Sequence, residues 1–192
     1  MNFKAACYDA YHDYRDIYIY YPDKSIITMV SENANAKRSV EIGYMTLITG
    51  LLEILEEANG IEITEDMMNM NGKRRGEHVG KKLGTNKTPE KALLEFIEYV
   101  RPYYDIEIIE SKKTKNGFKA DIKFNRCMIK DLSKNRGISI KNPLCRNTHG
   151  FIEGALSFMT ANQVDLNTPI TGWDVCNGCI EFKEKRDRFR FY

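Results

Sequence analysis

Four glycines recur at every fourth position, at Gly72, Gly76, Gly80 and Gly84. Residues four apart lie above one another on an α-helix, so this spacing predicts a helix over 71–83 with a stripe that carries no side chains. Such a stripe has two interpretations, because either another backbone packs tightly against it or it leaves room for a ligand. In both cases the chain must fold so that something lies close to this helix.

The other periodic segments predict one α+β domain spanning residues 1–192. Apolar residues at helical spacing predict a helix over Ala36–Ala58, and Thr88-Pro89 provides the cap and the first residue of another helix. Alternating segments on either side of Asn116-Gly117 predict a β-hairpin. A helix over Arg146–Ala161 and a final strand or hairpin over Trp173–Lys185 complete the expected elements.

Residues 1–35 form a tyrosine-rich N-terminal segment. Within it, Ile17–Tyr20 and Ile26–Met29 are predicted as two short strands joined by a turn at Pro22. Tyrosine buries a large area at low entropic cost, so the segment is expected either to pack within the fold or to form a dimer contact.

Composition excludes several classes of function. The 29 Lys and Arg residues nearly balance the 27 Asp and Glu residues, giving a formal net charge of +2, so we expect no nucleic-acid partner. Apolar runs are much shorter than the roughly 20 residues of a membrane span. The N-terminus carries no apolar signal core, so we expect a cytoplasmic protein in a reducing compartment, where disulfides are uncommon.

The cysteines point to a metal site. Cys176 and Cys179 form a CxxC motif, in which one tight turn aims two sulfurs at a common point, and Cys127 and Cys145 lie at predicted element ends. Four thiolates match a closed structural zinc site. A redox dithiol, an iron–sulfur cluster and plain buried cysteines remain as alternatives. The fifth cysteine, Cys7, is expected to be a small buried apolar residue.

Several of these segments together resemble one known domain family. Cys145 precedes Thr148-His149-Gly150-Phe151, which opens a helix, and a closing strand contains Cys176, Cys179 and Phe182. This pattern, with Cys127 ending an earlier strand and the glycines between 76 and 84, resembles the 4-vinyl reductase-like, hydrocarbon-binding domain. The likeness covers about residues 70–185 and assigns residues 36–192 to such a domain, of a stand-alone archaeal type.

The resemblance implies a fold and a site. The fold is an antiparallel sheet with helices packed on one side, as in vesicle-tethering subunits and haem-nitric-oxide sensors. Phenol sensors of the family dimerise through this domain and hold zinc with three Cys and one Glu. Cys145, Cys176 and Cys179 match the three cysteines by motif position, with Cys127 in place of the carboxylate. A homodimer with a structural zinc ion is therefore expected.

These features favour a zinc-stabilised binding module for a small hydrophobic or aromatic molecule, acting as a sensor or accessory binder. The candidate lining residues lie on the apolar and glycine-bearing faces of the predicted helices: Tyr44, Leu47, Ile48, Leu51, Gly76, Gly80, Phe151, Gly154 and Ala155. Each of them is equally suited to ordinary core packing. A cavity of at least about 300 Å³ between these helices is what such a site requires.

Two other functions remain open. A reductase-type enzyme or accessory protein of tetrapyrrole vinyl chemistry would use His149, Glu153, His78 or Cys176, yet no nicotinamide or flavin fingerprint is present, which favours a non-enzymatic role. An interaction scaffold, as in the tethering relatives, would show a broad exposed apolar patch and no cavity.

Overall fold

The computed structural model describes residues 26–115, 117–140 and 142–184, with the backbone alone at 26–42, 135 and 136. Of these, residues 26–44 belong to one compact unit and residues 45–184 to a second, which contains the whole sheet. Within the described ranges, no helix is both long enough and apolar enough to cross a membrane.

The sheet has four antiparallel strands in the spatial order β1-β2-β4-β3. The strands are β1 (Tyr104–Thr114), β2 (Gly117–Cys127), β3 (Gln163–Thr171) and β4 (Cys176–Lys183). The predicted hairpin is confirmed as β1 and β2, and Asn116 itself lies outside the described residues. Strand β3 was not expected.

Five helices accompany the sheet in the described part of the chain: α1 (Ile26–Asn59), α2 (Ile61–Leu83), α3 (Pro89–Val100), α4 (Met128–Arg136) and α5 (Pro143–Thr160). Helix α3 starts as predicted, because the Thr88 side chain accepts a hydrogen bond from the Lys91 backbone N–H. Helix α2 begins ten residues earlier than expected. The strand expected at Ile26–Met29 is wrong, since these residues open α1, and Ile17–Tyr20 lie outside the described residues.

Glycines on both α2 and α5 bring the backbones of these two helices into direct contact. A Cβ atom added to Gly76 would lie 2.1 Å from the Phe151 carbonyl oxygen, and one added to Gly154 would lie 2.2 Å from the Lys73 carbonyl oxygen. A Cβ atom added to any of three further glycines would also clash with a backbone carbonyl oxygen of the facing helix: Gly72, Gly80 and Gly150. Of the two interpretations of the stripe, tight backbone packing is therefore the observed one.

One face of the sheet packs on α3 and α5, and this interface forms the main core. Strand β2 alternates strictly, with Phe118, Ala120, Ile122 and Phe124 buried, and Ile180 and Phe182 of β4 join them. Leu156 and Met159 of α5 and Phe96 of α3 cover these strand residues. The predicted α+β class, an antiparallel sheet with helices on one side, is thus confirmed.

Candidate functional site

Three of the four predicted metal ligands lie at the same end of the sheet. Cys127 is the last residue of β2, Cys145 lies in the first turn of α5, and Cys176 is the first residue of β4. Each of the three side chains is partly buried, and all three line one cavity. These three residues are far apart in the sequence. They come to the same end of the sheet because β2 pairs antiparallel with β4 and α5 packs on the sheet there.

Cys179 does not join the other three. The expected tight turn at Cys176–Cys179 is wrong, because these residues belong to strand β4. Side chains three positions apart on a strand point to opposite faces of the sheet. Cys176 packs against the core, whereas Cys179 lies on the opposite, charged face beside Lys119 and Asp121.

The geometry does not support a closed site of four thiolates. Among the residues that the structure describes, no three His, Cys, Asp or Glu side chains converge closely enough to hold a metal ion. Burial raises the pKa of Cys127 and of Cys176, and it raises that of Cys145 to about 11, so the three thiols are neutral near pH 7. The Cys145 thiol donates a hydrogen bond to the Ile140 carbonyl oxygen at 3.1 Å. Metal binding requires thiolates, so an ion would have to displace these protons.

The cavity that the three cysteines line has a volume of about 280 Å³. Its wall combines one phenyl ring, three thiols and several polar side chains. The lining residues are Glu65, Phe124, Cys127, Asn142, Cys145, Arg146, Thr148, His149, Asn167, Thr168, Thr171 and Cys176. The volume is slightly below the limit of about 300 Å³ expected for a ligand pocket, and the cavity lies at one end of the sheet and not between the helices where it was expected.

A short chain of hydrogen bonds runs along the polar side of this cavity. The Arg146 guanidinium lies 3.3 Å from His149 Nδ1 and can only donate, so Nδ1 accepts and the ring proton lies on Nε2. His149 Nε2 then donates to Thr168 Oγ1 at 3.3 Å. Burial first and Arg146 second lower the pKa of His149 to about 4, although the Glu153 carboxylate opposes the shift. The imidazole is therefore neutral at pH 7.

The buried carboxylate of Glu153 is engaged by α2 and β3, and in the described part of the chain it makes no hydrogen bond to the His149 ring. Its oxygens accept hydrogen bonds from the Leu166 backbone N–H at 3.0 Å and the Asn69 side-chain amide at 3.4 Å, and the Lys73 ammonium lies 3.1 Å away. Glu153 thus ties α5 to α2 and β3. His78, another candidate, is exposed on α2, where its Nδ1 lies 2.6 Å from the Arg74 carbonyl oxygen.

None of the nine residues predicted to line a ligand pocket lines this cavity. Gly76, Gly80, Phe151, Gly154 and Ala155 lie in the contact between α2 and α5, where the backbones leave no space for a ligand. The remaining four are exposed on α1: Tyr44, Leu47, Ile48 and Leu51. The polar cluster Arg146, Thr148 and His149 at the start of an otherwise apolar helix is the sequence signal that points to the observed cavity.

The sequence matches no protein-family model and no curated protein. Among solved structures, the chain is similar to the phenol-responsive sensory domain of the transcription activator PoxR, solved with phenol, with a TM-score of 0.57 and 11% identity. That match covers 72% of this chain and 74% of the sensory domain.

A second similar structure is trafficking protein particle complex subunit 3 from Naegleria fowleri, covalently bound to palmitic acid, with a TM-score of 0.51 and 15% identity. That match covers 77% of this chain and 97% of that subunit. At these identities the similarity shows the fold, which this chain shares with a sensory domain and with a trafficking-complex subunit.

Proposed function

We propose that this chain is a binding module for a small apolar or aromatic molecule, and that the molecule occupies the cavity at the Cys127, Cys145 and Cys176 end of the sheet. The observation that carries the proposal is the cavity itself, about 280 Å³ in volume with the Phe124 ring and three neutral thiols in its wall. Neutral thiols behave as small apolar groups, so much of this wall favours a hydrocarbon or an aromatic ring.

The two similar structures support a ligand-binding role. One was solved with phenol and the other carries palmitic acid. Both ligands combine an apolar body with one polar end, which is also the character of this cavity. We propose a sensory or accessory role for this binding module. The resemblance to the 4-vinyl reductase-like family is part of the same proposal.

Two substitutions on strand β4 test the proposal. Cys176→Leu places a larger side chain in the cavity, whereas Cys179→Leu makes the same change on the opposite face. A calorimetric titration with phenol should give saturable binding to the wild type and to Cys179→Leu, and binding at least about tenfold weaker to Cys176→Leu. Circular dichroism checks that both variants are folded. Saturable binding unaffected by Cys176→Leu would place the ligand elsewhere, and no binding of phenol, benzoate or benzamide would refute the function.

We propose a zinc ion on Cys127, Cys145 and Cys176 as a second, mutually exclusive state of this cavity, in which the three thiols have lost their protons and lie closer together than in the described structure. Metal analysis of protein purified without added metal should give one zinc ion per chain. The ion should be lost in Cys127→Ser, Cys145→Ser and Cys176→Ser and retained in Cys179→Ser, because Cys179 lies on the other face. Absence of metal from the wild type would leave the thiols as part of the apolar wall.

We further propose a homodimer, because α1 and α2 expose apolar stripes. On α1, Leu47, Leu51 and Ile54 are each more than half exposed, and α2 exposes Ile63 and Met70 to a similar degree. Exposed apolar patches of this kind mark protein interfaces. Light scattering after size-exclusion chromatography should show a dimer that Leu51→Glu converts to a monomer. A monomeric wild type would refute the homodimer, and the exposed apolar stripes would then be a surface for a different protein partner.

A further inference from the structure

Among the residues that the structure describes, no carboxylate lies within ion-pair distance of the Arg146 guanidinium. Its side chain is partly buried in the wall of the cavity, and its Nε atom is buried and has no hydrogen-bond partner among the described residues. The partner of the guanidinium is the neutral ring of His149. A charge removed from water is costly unless it is paired, so this arrangement leaves room for an anion.

The nearby carboxylates do not fill this role. Glu65 lines the same cavity, but it forms no ion pair with Arg146 within 4.0 Å in the described structure. Glu153 lies one turn beyond His149, and its oxygens are engaged by Leu166, Asn69 and Lys73. The guanidinium therefore has donors left for a group that enters the cavity.

We propose that Arg146 binds the carboxylate of a single-ring aromatic acid whose ring lies against Phe124 and the cysteine side of the cavity. This inference rests on the proposed binding function and specifies the chemical class of its ligand. A planar guanidinium pairs with a carboxylate through two parallel N–H···O hydrogen bonds, a geometry that a neutral hydroxyl cannot match. The His149 ring, itself held by Thr168, fixes the guanidinium in place before the ligand arrives.

Size and polarity favour an aromatic carboxylate over a bare inorganic anion. A cavity of about 280 Å³ accommodates a single ring with a short polar substituent. Inorganic phosphate would pair with the guanidinium but would leave the apolar wall of Phe124 and the three thiols in contact with water. Burial of the ring on that wall adds binding free energy that phosphate does not have.

The test compares benzoate with benzamide, its neutral counterpart of the same shape, by isothermal titration calorimetry. Wild type should bind benzoate about 10- to 100-fold more tightly than benzamide, which is the range expected for a hydrogen-bonded charge pair. Arg146→Met should remove this preference while benzamide binding persists. The matched control is Arg75→Met on the exposed surface of α2, where the Arg75 guanidinium donates a hydrogen bond to the Asn71 side chain, and it should leave both affinities unchanged.

The outcomes separate this inference from the function on which it rests. Benzamide binding equal to or tighter than benzoate binding in the wild type would overturn the inference and leave the binding function standing. An unchanged benzoate preference in Arg146→Met would also overturn it. Inorganic phosphate binding as tightly as benzoate would refute the aromatic ligand. Failure of phenol, benzamide and benzoate alike would refute the binding function itself.

Discussion

The backbone contact between α2 and α5 can be tested with a single methyl group. In Gly76→Ala the new Cβ would lie 2.1 Å from the Phe151 carbonyl oxygen and 2.8 Å from the Ala155 backbone nitrogen. A carbon atom and a carbonyl oxygen in close contact are about 3.3 Å apart, so the helices would have to separate locally by about 1 Å. Both contacts are to backbone atoms, which cannot rotate away as a side chain can.

The cost of this substitution can be compared with its local benefit. Overpacking a filled interface costs about 1–3 kcal/mol or more, and alanine recovers up to about 1 kcal/mol over glycine inside a helix. Because the clash involves two backbone groups, we expect the upper end of the cost, and Gly76→Ala should lower the free energy of unfolding by about 2 kcal/mol.

Gly50→Ala in α1 is the matched control. Gly50 is also inside a helix, but a Cβ there meets nothing within 4 Å. This variant should therefore gain about 1 kcal/mol from helix propensity alone. Urea denaturation of the three proteins at one protein concentration measures both effects. A Gly76→Ala protein as stable as the wild type would show that the helices do not approach as closely as described.

Two further predictions concern buried ionisable groups. The pKa of His149 falls from 6.5 to about 4 on folding, so the unfolded state binds more protons than the folded state between pH 6.5 and pH 4. The free energy of unfolding should therefore decrease as the pH falls from 7, by about 2.5 kcal/mol at pH 4.5. His149→Gln should lose less stability than the wild type between pH 7 and 4.5 in urea denaturation, and an equal loss would refute the shift. Glu153→Ala should cost about 2 kcal/mol at pH 7, because the Leu166 N–H and the Lys73 ammonium lose their acceptor. Glu153→Gln should cost less in the same assay, since its amide oxygen still accepts from Leu166, and equal costs would contradict the hydrogen-bonding role.

Sequence patterns predicted the elements whose signals are local. The Thr88 cap and the hairpin signal at Asn116-Gly117 depend on a few neighbouring residues, and helix α3 and the pairing of β1 with β2 are both observed. The turn at Cys176–Cys179 was wrong because CxxC suits either a turn or a strand, and here pairing with β2 on one side and β3 on the other makes it a strand. Strand β3 was missed because Pro169 and its polar neighbours break the apolar alternation.

The candidate site was only partly predictable. Three cysteines converge on one end of the sheet, as the element-end positions of Cys127 and Cys145 suggested. The cavity itself draws on Glu65 of α2, Thr168 of β3 and residues of three other elements, and no local pattern links positions so far apart in the chain. The exposed apolar residues of α1 were mistaken for a pocket lining because periodicity identifies an apolar face but not what covers it.

The interlocked glycines also restrict how a ligand would reach the proposed binding site. Helices α2 and α5 both contribute to the cavity wall, and Asn147 of α5 adds a 2.9 Å hydrogen bond to the Met68 carbonyl oxygen of α2. Parting these helices would break a continuous seam of backbone contacts, so they form the stationary wall. A ligand of the proposed binding site is therefore expected to bind without separating α2 from α5, so its affinity should not depend on a motion of these two helices.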